Sequence, residues 1–264
     1  MNGARRILLR RLQRSARRAV LPLCFWLPLL APVSTAAQGL SDARYVSPTD
    51  IYPHGALGDN LEWAAVEVTV SRPKGAQLSG PVSRTYRIKA PARTVFEDTE
   101  PRLWDIDGDG LPEVVVVISH QDRGARLAVI GYDGDDFRYI ATTPAIGTRF
   151  RWLAPIGAAD LDGDGRIEIA YIDRPHLAKT LRIWRFAQGE LRQVAERPGL
   201  TNHKIGWDYI PGGVRNCGGV VEIISANADW SHVMASRFAN GVISSRKIAR
   251  HTGPADLNAA LSCS

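Results

Sequence analysis

The stretch DIDGDGLPEVVVV, residues 105–117, places aspartates at alternate positions of a glycine-containing loop and then continues as a run of valines. Carboxylates at positions 1, 3 and 5 can turn inward while the two glycines let the backbone bend tightly around an ion. The β-branched residues that follow favour a strand. The stretch therefore predicts an acidic loop, suited to a hard cation, at the mouth of a strand.

This loop differs from a helix-flanked calcium loop in two ways. An EF-hand requires a glutamate at position 12, where this chain has Val116. Its acid lies instead at position 9, as Glu113, and a strand follows rather than a helix. The sequence therefore excludes an EF-hand or dockerin-type loop.

The pattern belongs to a repeat, because it returns as DLDGDGRIEIAYI at residues 160–172, a shift of 55 residues. Weaker copies begin at residue 55 and at residue 214, the latter without the aspartates. A second marker, a turn glycine that follows an apolar run, recurs with nearly the same spacing. The aligned glutamates are Glu62, Glu113, Glu168 and Glu222, and the turn glycines are Gly134, Gly189 and Gly241. Two markers with one period establish a repeat of about 55 residues.

Each repeat divides into short strands, which in the third repeat are RWLAPIGAA, IEIAYID, TLRIWRF and LRQVAE. Four-stranded antiparallel units repeated radially are typical of a β-propeller. We therefore predict an all-β fold, a β-propeller of about four four-stranded antiparallel blades whose first and last blades are irregular. A fifth blade built from residues 40–55 and 248–264 is the main alternative.

Oxygen ligands favour calcium over zinc or copper, so the sequence predicts two structural calcium sites. Without an ion, the four carboxylates within the nine residues of each loop would repel one another, so the empty loop would be costly to hold in shape. Backbone carbonyls are expected at position 7 of each loop. The predicted ligands are Asp105, Asp107, Asp109, Leu111 and Glu113 in the first loop, and Asp160, Asp162, Asp164, Arg166 and Glu168 in the second.

The DxDGDGxxE loop followed by an apolar strand, with GAA before it at residues 157–159, resembles the FG-GAP repeat of integrin alpha-type β-propellers and the related VCBS repeat of bacterial secreted proteins. The resemblance is clear over residues 96–200. It implies calcium in both acidic loops. It does not extend to the fourth repeat, where Val214, Asn216 and Gly218 replace the aspartates.

The N-terminus predicts a secretory signal peptide over residues 1–37 and a propeller domain over residues 38–264. Seven arginines precede an apolar run at 19–33 and a small-residue stretch that permits cleavage after Ala36 or Ala37. The apolar run is short for a membrane span, so no stable membrane insertion of the mature chain is expected. A periplasmic or secreted location follows, with a mitochondrial transit peptide as the weaker alternative.

The basic charge of the chain lies in that leader. Of 33 basic residues, the leader holds seven, which leaves 26 against 27 acidic residues. Nucleic-acid binding is therefore not expected. The mature chain keeps Cys217 and Cys263, an even number in an oxidising compartment, and a disulfide between them is predicted; two free thiols are the alternative. We expect this bond to fasten the C-terminal tail to blade four and close the ring.

Because strands alternate in direction, the loops after the acidic-loop strands should emerge at the opposite end of the blades. Several of these loops combine acids, arginines and histidines, and convergent polar groups at one face are a default ligand site. The predicted ligand-face residues are Asp122, Arg123, Asp173, Arg174, His176, His203, Asp229 and His232.

The chain carries no HExxH, GxSxG, Walker, Rossmann or reactive-cysteine signature. The sequence therefore favours a non-enzymatic binding module for a protein or carbohydrate ligand. A polysaccharide lyase or hydrolase using the charged face is the alternative, and an adhesion or assembly subunit is a third class.

Overall fold

The computed structural model describes residues 39–71 and 83–263, which form seventeen β-strands and one short helix. The strands lie in three antiparallel sheets. The all-β fold is therefore confirmed, and its curled sheets are compatible with a β-propeller. The predicted signal segment, residues 1–37, lies outside the described residues, as do residues 72–82.

The first sheet combines the first and second repeats. It has eight strands in the order β1-β2-β4-β6-β7-β8, with β3 beside β2 and β5 beside β6. Trp63 of β2 pairs with Phe96 of β4, and β4 also pairs with β6, so the two repeats share one sheet instead of forming separate ones. The strands are β1 (Gly39–Thr49), β2 (Glu62–Ser71), β3 (Ser83–Lys89), β4 (Thr94–Phe96), β5 (Arg102–Trp104), β6 (Glu113–His120), β7 (Gly124–Tyr132) and β8 (Phe137–Thr142).

The second sheet is the four-stranded unit predicted for the third repeat, in the order β12-β11-β10-β9. Its β11–β12 turn has positive φ at Gln188 (54°) and Gly189 (77°), as a tight hairpin turn requires. The corresponding turn of the last sheet has the same conformation at Asn240 and Gly241. The strands are β9 (Leu153–Ala159), β10 (Glu168–Asp173), β11 (Thr180–Ala187) and β12 (Glu190–Pro198).

The third sheet corresponds to the fourth repeat, and its order is β13-β15-β16-β17 with β14 also paired to β15. The two terminal segments that form the alternative fifth blade do not pair with each other among the described residues. Residues 39–49 pair with β2, whereas the segment from residue 248 completes β17 and then forms helix α1. The elements are β13 (Leu200–Thr201), β14 (Gly213–Cys217), β15 (Val220–Asn227), β16 (His232–Ala239), β17 (Val242–Arg250) and α1 (Ala255–Ala259).

Both faces of the central strands are buried, which explains the continuous apolar runs after the acidic loops. Along β6, Val114 and Val116 enter one apolar core with β1 and β2, while Val115 and Val117 enter a second core shared with β10. Alternate residues of β10 divide in the same way between the second core and a third, which contains Ile223 of β15. The repeats therefore pack in series.

The last sheet is covered by the C-terminal helix. Leu257 of α1 is fully buried in a fourth core with Ile224, Val233 and Ala235. Within residues 39–71 and 83–263, no core contains side chains from both β1–β3 and the last sheet. The tail thus packs on the last sheet itself, rather than between the last and the first. Among the described residues, no helix has the length and apolar character needed to cross a membrane.

Candidate functional site

The first acidic loop, between β5 and β6, is shaped by its own carboxylates. Asp105 accepts hydrogen bonds from the backbone N–H groups of Gly108 and Gly110, at 2.8 and 2.9 Å. Glu113, the first residue of β6, reaches back to accept the N–H of Ile106 at 2.9 Å. The glutamate at position 9 therefore fixes the loop against the strand that follows it.

The second loop, between β9 and β10, repeats this bonding pattern. Asp160 accepts from Gly163 and Gly165 at 2.7 and 2.9 Å, and Glu168 accepts the N–H of Leu161 at 3.0 Å. These three bonds recur in both loops because the loops share their aspartate, glycine and glutamate positions.

Three carboxylates converge in each loop. Carboxylate oxygens of Asp105, Asp107 and Glu113 lie within 4.8 Å of one another, and so do those of Asp160, Asp162 and Glu168. Oxygen-only groups of this kind suit calcium. Within the second loop, Asp162 Oδ1 is buried without a hydrogen-bond partner, so a cation there would satisfy it.

The aspartates at position 5 lie outside these groups of three. Asp109 accepts the N–H of Leu111 at 2.7 Å, and Asp164 bonds the backbone and side chain of Arg166. That bond lowers the pKa of Asp164 to about 2. Coordination by the carbonyls of Leu111 and Arg166 stays a prediction.

The two loops differ in charge compensation. Arg185 of β11 lies opposite Glu168 and places its guanidinium among the acids of the second loop, 2.9 Å from Asp162 and 3.2 Å from Asp164. In β6–β7, Val114 pairs with Ile130, so the residue opposite Glu113 is a glycine. Among the described residues, no basic side chain pairs with an acid of the first loop. Burial, together with the neighbouring aspartates, raises the pKa of Glu113 to about 7.

In the fourth repeat, arginines occupy the place of the missing acidic loop. Arg215 and Arg246 bond the two oxygens of Glu222, at 2.6 and 2.8 Å. The β14–β15 connection is a short turn through Gly218 and Gly219, both with positive φ. From the second to the fourth repeat, the described arginines paired with the aligned glutamate therefore increase from none, to Arg185, to Arg215 and Arg246.

Cys217 and Cys263 form a disulfide, as predicted. Cys217 ends β14, and Cys263 follows α1, so the bond fastens the tail to the last sheet. Arg215 supports the same contact by donating to the carbonyl of Ala260 at 2.7 Å. The prediction that the disulfide fastens the C-terminal tail to the last sheet is therefore confirmed. The prediction that it closes the ring has no support from the packing of the tail.

At the other ends of the strands, a cleft of about 290 Å³ lies among residues of the loops and connections. Its walls combine the β1–β2 connection, the β8–β9 connection, the β10–β11 loop and the β13–β14 connection. The lining side chains are basic or imidazole at His54, Arg151, Arg174 and His176, and apolar at Phe150, Trp152, Pro175, Leu177 and Ile205. Two predicted ligand-face residues, Arg174 and His176, thus line the cleft.

His176 and a third predicted residue, His203, form a directed hydrogen-bond chain. His203 Nε2 donates to the carbonyl of Trp207 at 2.8 Å, so its Nδ1 accepts from His176 Nε2 at 2.9 Å. Burial and the neighbouring His203 lower the pKa of His176 to about 4. His176 is therefore a neutral group at pH 7, and its Nδ1 carries the remaining lone pair.

A buried acid lies behind the cleft. Glu97 is fully buried and bonds His54 Nδ1 through one oxygen and the hydroxyl of Ser119 through the other. Burial raises the pKa of Glu97, while the bond from His54 opposes this. The backbone carbonyl of Glu97 accepts the indole N–H of Trp152 at 2.8 Å. The arrangement fixes the ring of His54 at the cleft wall.

Asp173, another predicted residue, positions Arg174 but does not line the cleft. Its carboxylate accepts from Arg174 and Arg182 at about 3 Å and is 5% exposed. The four remaining predicted residues lie elsewhere. Asp122 pairs with the exposed Arg93, Arg123 lines a smaller separate cleft, and Asp229 and His232 bond Ser231 in the β15–β16 loop.

The sequence did not predict His54 or its buried partner Glu97. The predicted ligand-face residues also omit six side chains that line the cleft, which are Phe150, Arg151, Trp152, Pro175, Leu177 and Ile205. Trp152 lies 55 positions before Trp207, and this repeat spacing was the available sequence signal.

Residues 105–171 match the FG-GAP-like repeat family, in agreement with the resemblance seen in the two acidic loops. The match runs from the first loop to the strand after the second. Comparison with curated protein sequences gave no match. The repeat is therefore assigned over this segment.

Proposed function

We propose that this protein is a calcium-stabilised β-propeller of four repeat units that acts outside the cytoplasm as a non-enzymatic binding module. The single observation that carries the proposal is the convergence of four separate chain segments on one cleft, at the strand ends remote from the acidic loops. The loops supply stability in this proposal, and the connections supply recognition.

An extracytoplasmic location agrees with the disulfide and with the basic, apolar leader sequence. The similarity of residues 105–171 to the FG-GAP-like repeat agrees with a structural role for calcium. We also propose that the chain is related to the bacterial secreted proteins that contain VCBS repeats.

The binding role is tested on peptide and glycan arrays with the purified protein in calcium. Leu177 is 61% exposed at the cleft, and Val242 is 65% exposed at the β16–β17 turn, so Leu177→Arg and Val242→Arg form a matched pair. We expect a ligand that wild type and Val242→Arg retain and Leu177→Arg loses. If no array ligand depends on Leu177, the cleft is not the recognition site.

A second candidate is a polysaccharide lyase or hydrolase, favoured by one observation. The buried Glu97 orients His54 at the cleft wall, as a positioned general base would need. Release of reducing ends or unsaturated sugars, lost in His54→Gln, would favour this enzyme. If the protein degrades neither acidic nor neutral polysaccharides, the enzyme hypothesis is rejected and the binding-module hypothesis is kept.

A further inference from the structure

The cleft carries positive charge without an acid among its described lining residues. Arg174 is committed to Asp173 through two hydrogen bonds of 2.9 Å. Arg151, by contrast, donates through Nη1 to the carbonyl of Phe150 at 2.9 Å and forms no ion pair with any described carboxylate. Its guanidinium thus keeps donors for an anionic ligand.

The rim of the cleft is apolar and open. Leu177 and Ile205 are 61% and 70% exposed, which places them among the three most exposed large apolar side chains of the described chain. They come from different connections and meet at the same cleft. Exposed aliphatic side chains beside a cleft are typical of an interaction site, since burying apolar surface stabilises a complex.

The wall is held in a costly backbone conformation. Phe150 and Arg174 have φ of 56° and 47°, in the left-handed region that is sterically unfavourable for residues with a Cβ. The hydroxyl of Tyr52 accepts the N–H of Phe150 at 2.7 Å, and the carbonyl of Trp152 accepts that of Arg174 at 2.9 Å. Strained residues held in this way cluster at ligand sites.

We propose that the cleft binds an extended segment of a partner protein that presents a carboxylate beside an aliphatic side chain. Arg151 receives the carboxylate, and Leu177 and Ile205 cover the aliphatic group. The cleft volume of about 290 Å³ lies at the small end of the range for ligand pockets, which fits a short ligand segment. Trp152 is 2% exposed and the ring of Phe150 stacks on His54, so neither offers an open platform to a sugar. This inference rests on the proposed binding function.

The test is an NMR titration of the isotope-labelled, calcium-loaded protein with three probes: N-acetyl-L-leucine, N-acetyl-L-leucinamide and D-glucuronate. The first two differ only in the carboxylate. We expect N-acetyl-L-leucine to shift the backbone amide signals of residues 149–152, 174, 176 and 177 and to bind about tenfold more tightly than N-acetyl-L-leucinamide, as a charged hydrogen bond predicts. Arg151→Gln should remove that preference, whereas Arg123→Gln, in the separate smaller cleft, should keep it.

A preference that survives Arg151→Gln, or equal binding of the acid and the amide, overturns the inference. Tighter binding of glucuronate at the same amides also overturns it, but leaves the binding function standing with a sugar ligand. If no probe shifts these amides and no array ligand depends on Leu177, both proposals fail.

Discussion

At the scale of single residues, Arg185 decides how the two acidic loops differ. Its guanidinium forms ion pairs with Asp162, Asp164 and Glu168, so a calcium ion entering the second loop must compete with it. The first loop has a glycine at the corresponding position and keeps its acids unpaired with any described base. We therefore expect two calcium affinities, with the first loop binding more tightly.

Arg185→Gln should raise calcium affinity at the weaker site by about tenfold, because it removes one positive charge in contact with the ligands. Isothermal titration calorimetry measures both sites, and Asp105→Asn should remove the tighter one. Arg192→Gln is the matched control, since Arg192 pairs with Glu190 on the exposed strand β12. Unchanged affinities in Arg185→Gln would mean that the guanidinium does not compete with the ion.

His176 gives a pH-dependence whose sign follows from its lowered pKa of about 4. Unfolded histidine has a pKa near 6.5, so the unfolded chain binds a proton at a pH where the folded chain does not. The stability contributed by neutral His176 is fully present above pH 6.5 and is lost as the pH falls toward 4. Partial exposure limits the loss to about 1–2 kcal/mol.

We expect His176→Gln to be less stable than wild type at pH 8, where the bond to His203 is lost, and the difference to narrow toward pH 4.5. Urea unfolding at several pH values measures this. The pH 8 difference serves as the internal control for the lost hydrogen bond. Parallel pH profiles of the two proteins would show that His176 does not supply the effect.

At the scale of elements, the C-terminal tail stabilises the last sheet through one helix and one disulfide. The disulfide joins residues 46 positions apart, for which chain entropy predicts about 4 kcal/mol at most. Cys263→Ser should lower the free energy of unfolding by about 2–4 kcal/mol and increase hydrogen exchange in α1 and β14.

Denaturant unfolding with hydrogen-exchange readout checks this. The Cys217→Ser/Cys263→Ser double variant should match either single variant, because all three lack the same bond. Oxidised and reduced wild-type protein with equal denaturant midpoints would contradict the assigned role.

Elements that repeat were predictable from the sequence, and elements that do not repeat were not. Gly189 and Gly241 marked hairpin turns because only certain residues accept positive φ there. The sharing of one sheet by the first two repeats depends on the three-residue strand β4, whose pairing through Phe96 has no signal in the repeat. Arg185 escaped notice because its role appears only when the residue opposite Glu168 is known.

The cleft was predicted only by its location. Because neighbouring strands run in opposite directions, the sequence placed His176 and His203 at the same ends of the strands, and they lie there in the structure. His54 and Glu97 lie 43 positions apart and meet through the β1–β2 connection, a contact that depends on how that connection crosses the molecule. Long-range contacts between unlike segments carry no sequence period, so this half of the site needed the structure.

At the scale of the whole molecule, the acidic loops and the apolar cores are physically linked. The residue between the first two aspartates of each loop, Ile106 or Leu161, is buried in an inter-sheet core. Ile106 enters the core between the second and third repeats, and Leu161 enters the core between the third and fourth. Distortion of either loop by carboxylate repulsion therefore disturbs the packing of two repeats at once.

Calcium removal should consequently destabilise the molecule as a unit. If calcium is present at about one hundred times the dissociation constant of the tighter site, that site alone contributes about 2.7 kcal/mol. For a domain of this size, loss of that contribution corresponds to a fall in Tm of about 5–10 °C in EGTA, and the weaker site adds to the fall. Differential scanning calorimetry with calcium, with EGTA, and with magnesium added to EGTA measures the shift, and Asp105→Asn/Asp160→Asn should reproduce the EGTA value without responding to calcium. A Tm that EGTA leaves unchanged would contradict a stabilising role for calcium. It would mean that the apolar cores that hold Ile106 and Leu161 keep the loops folded without an ion.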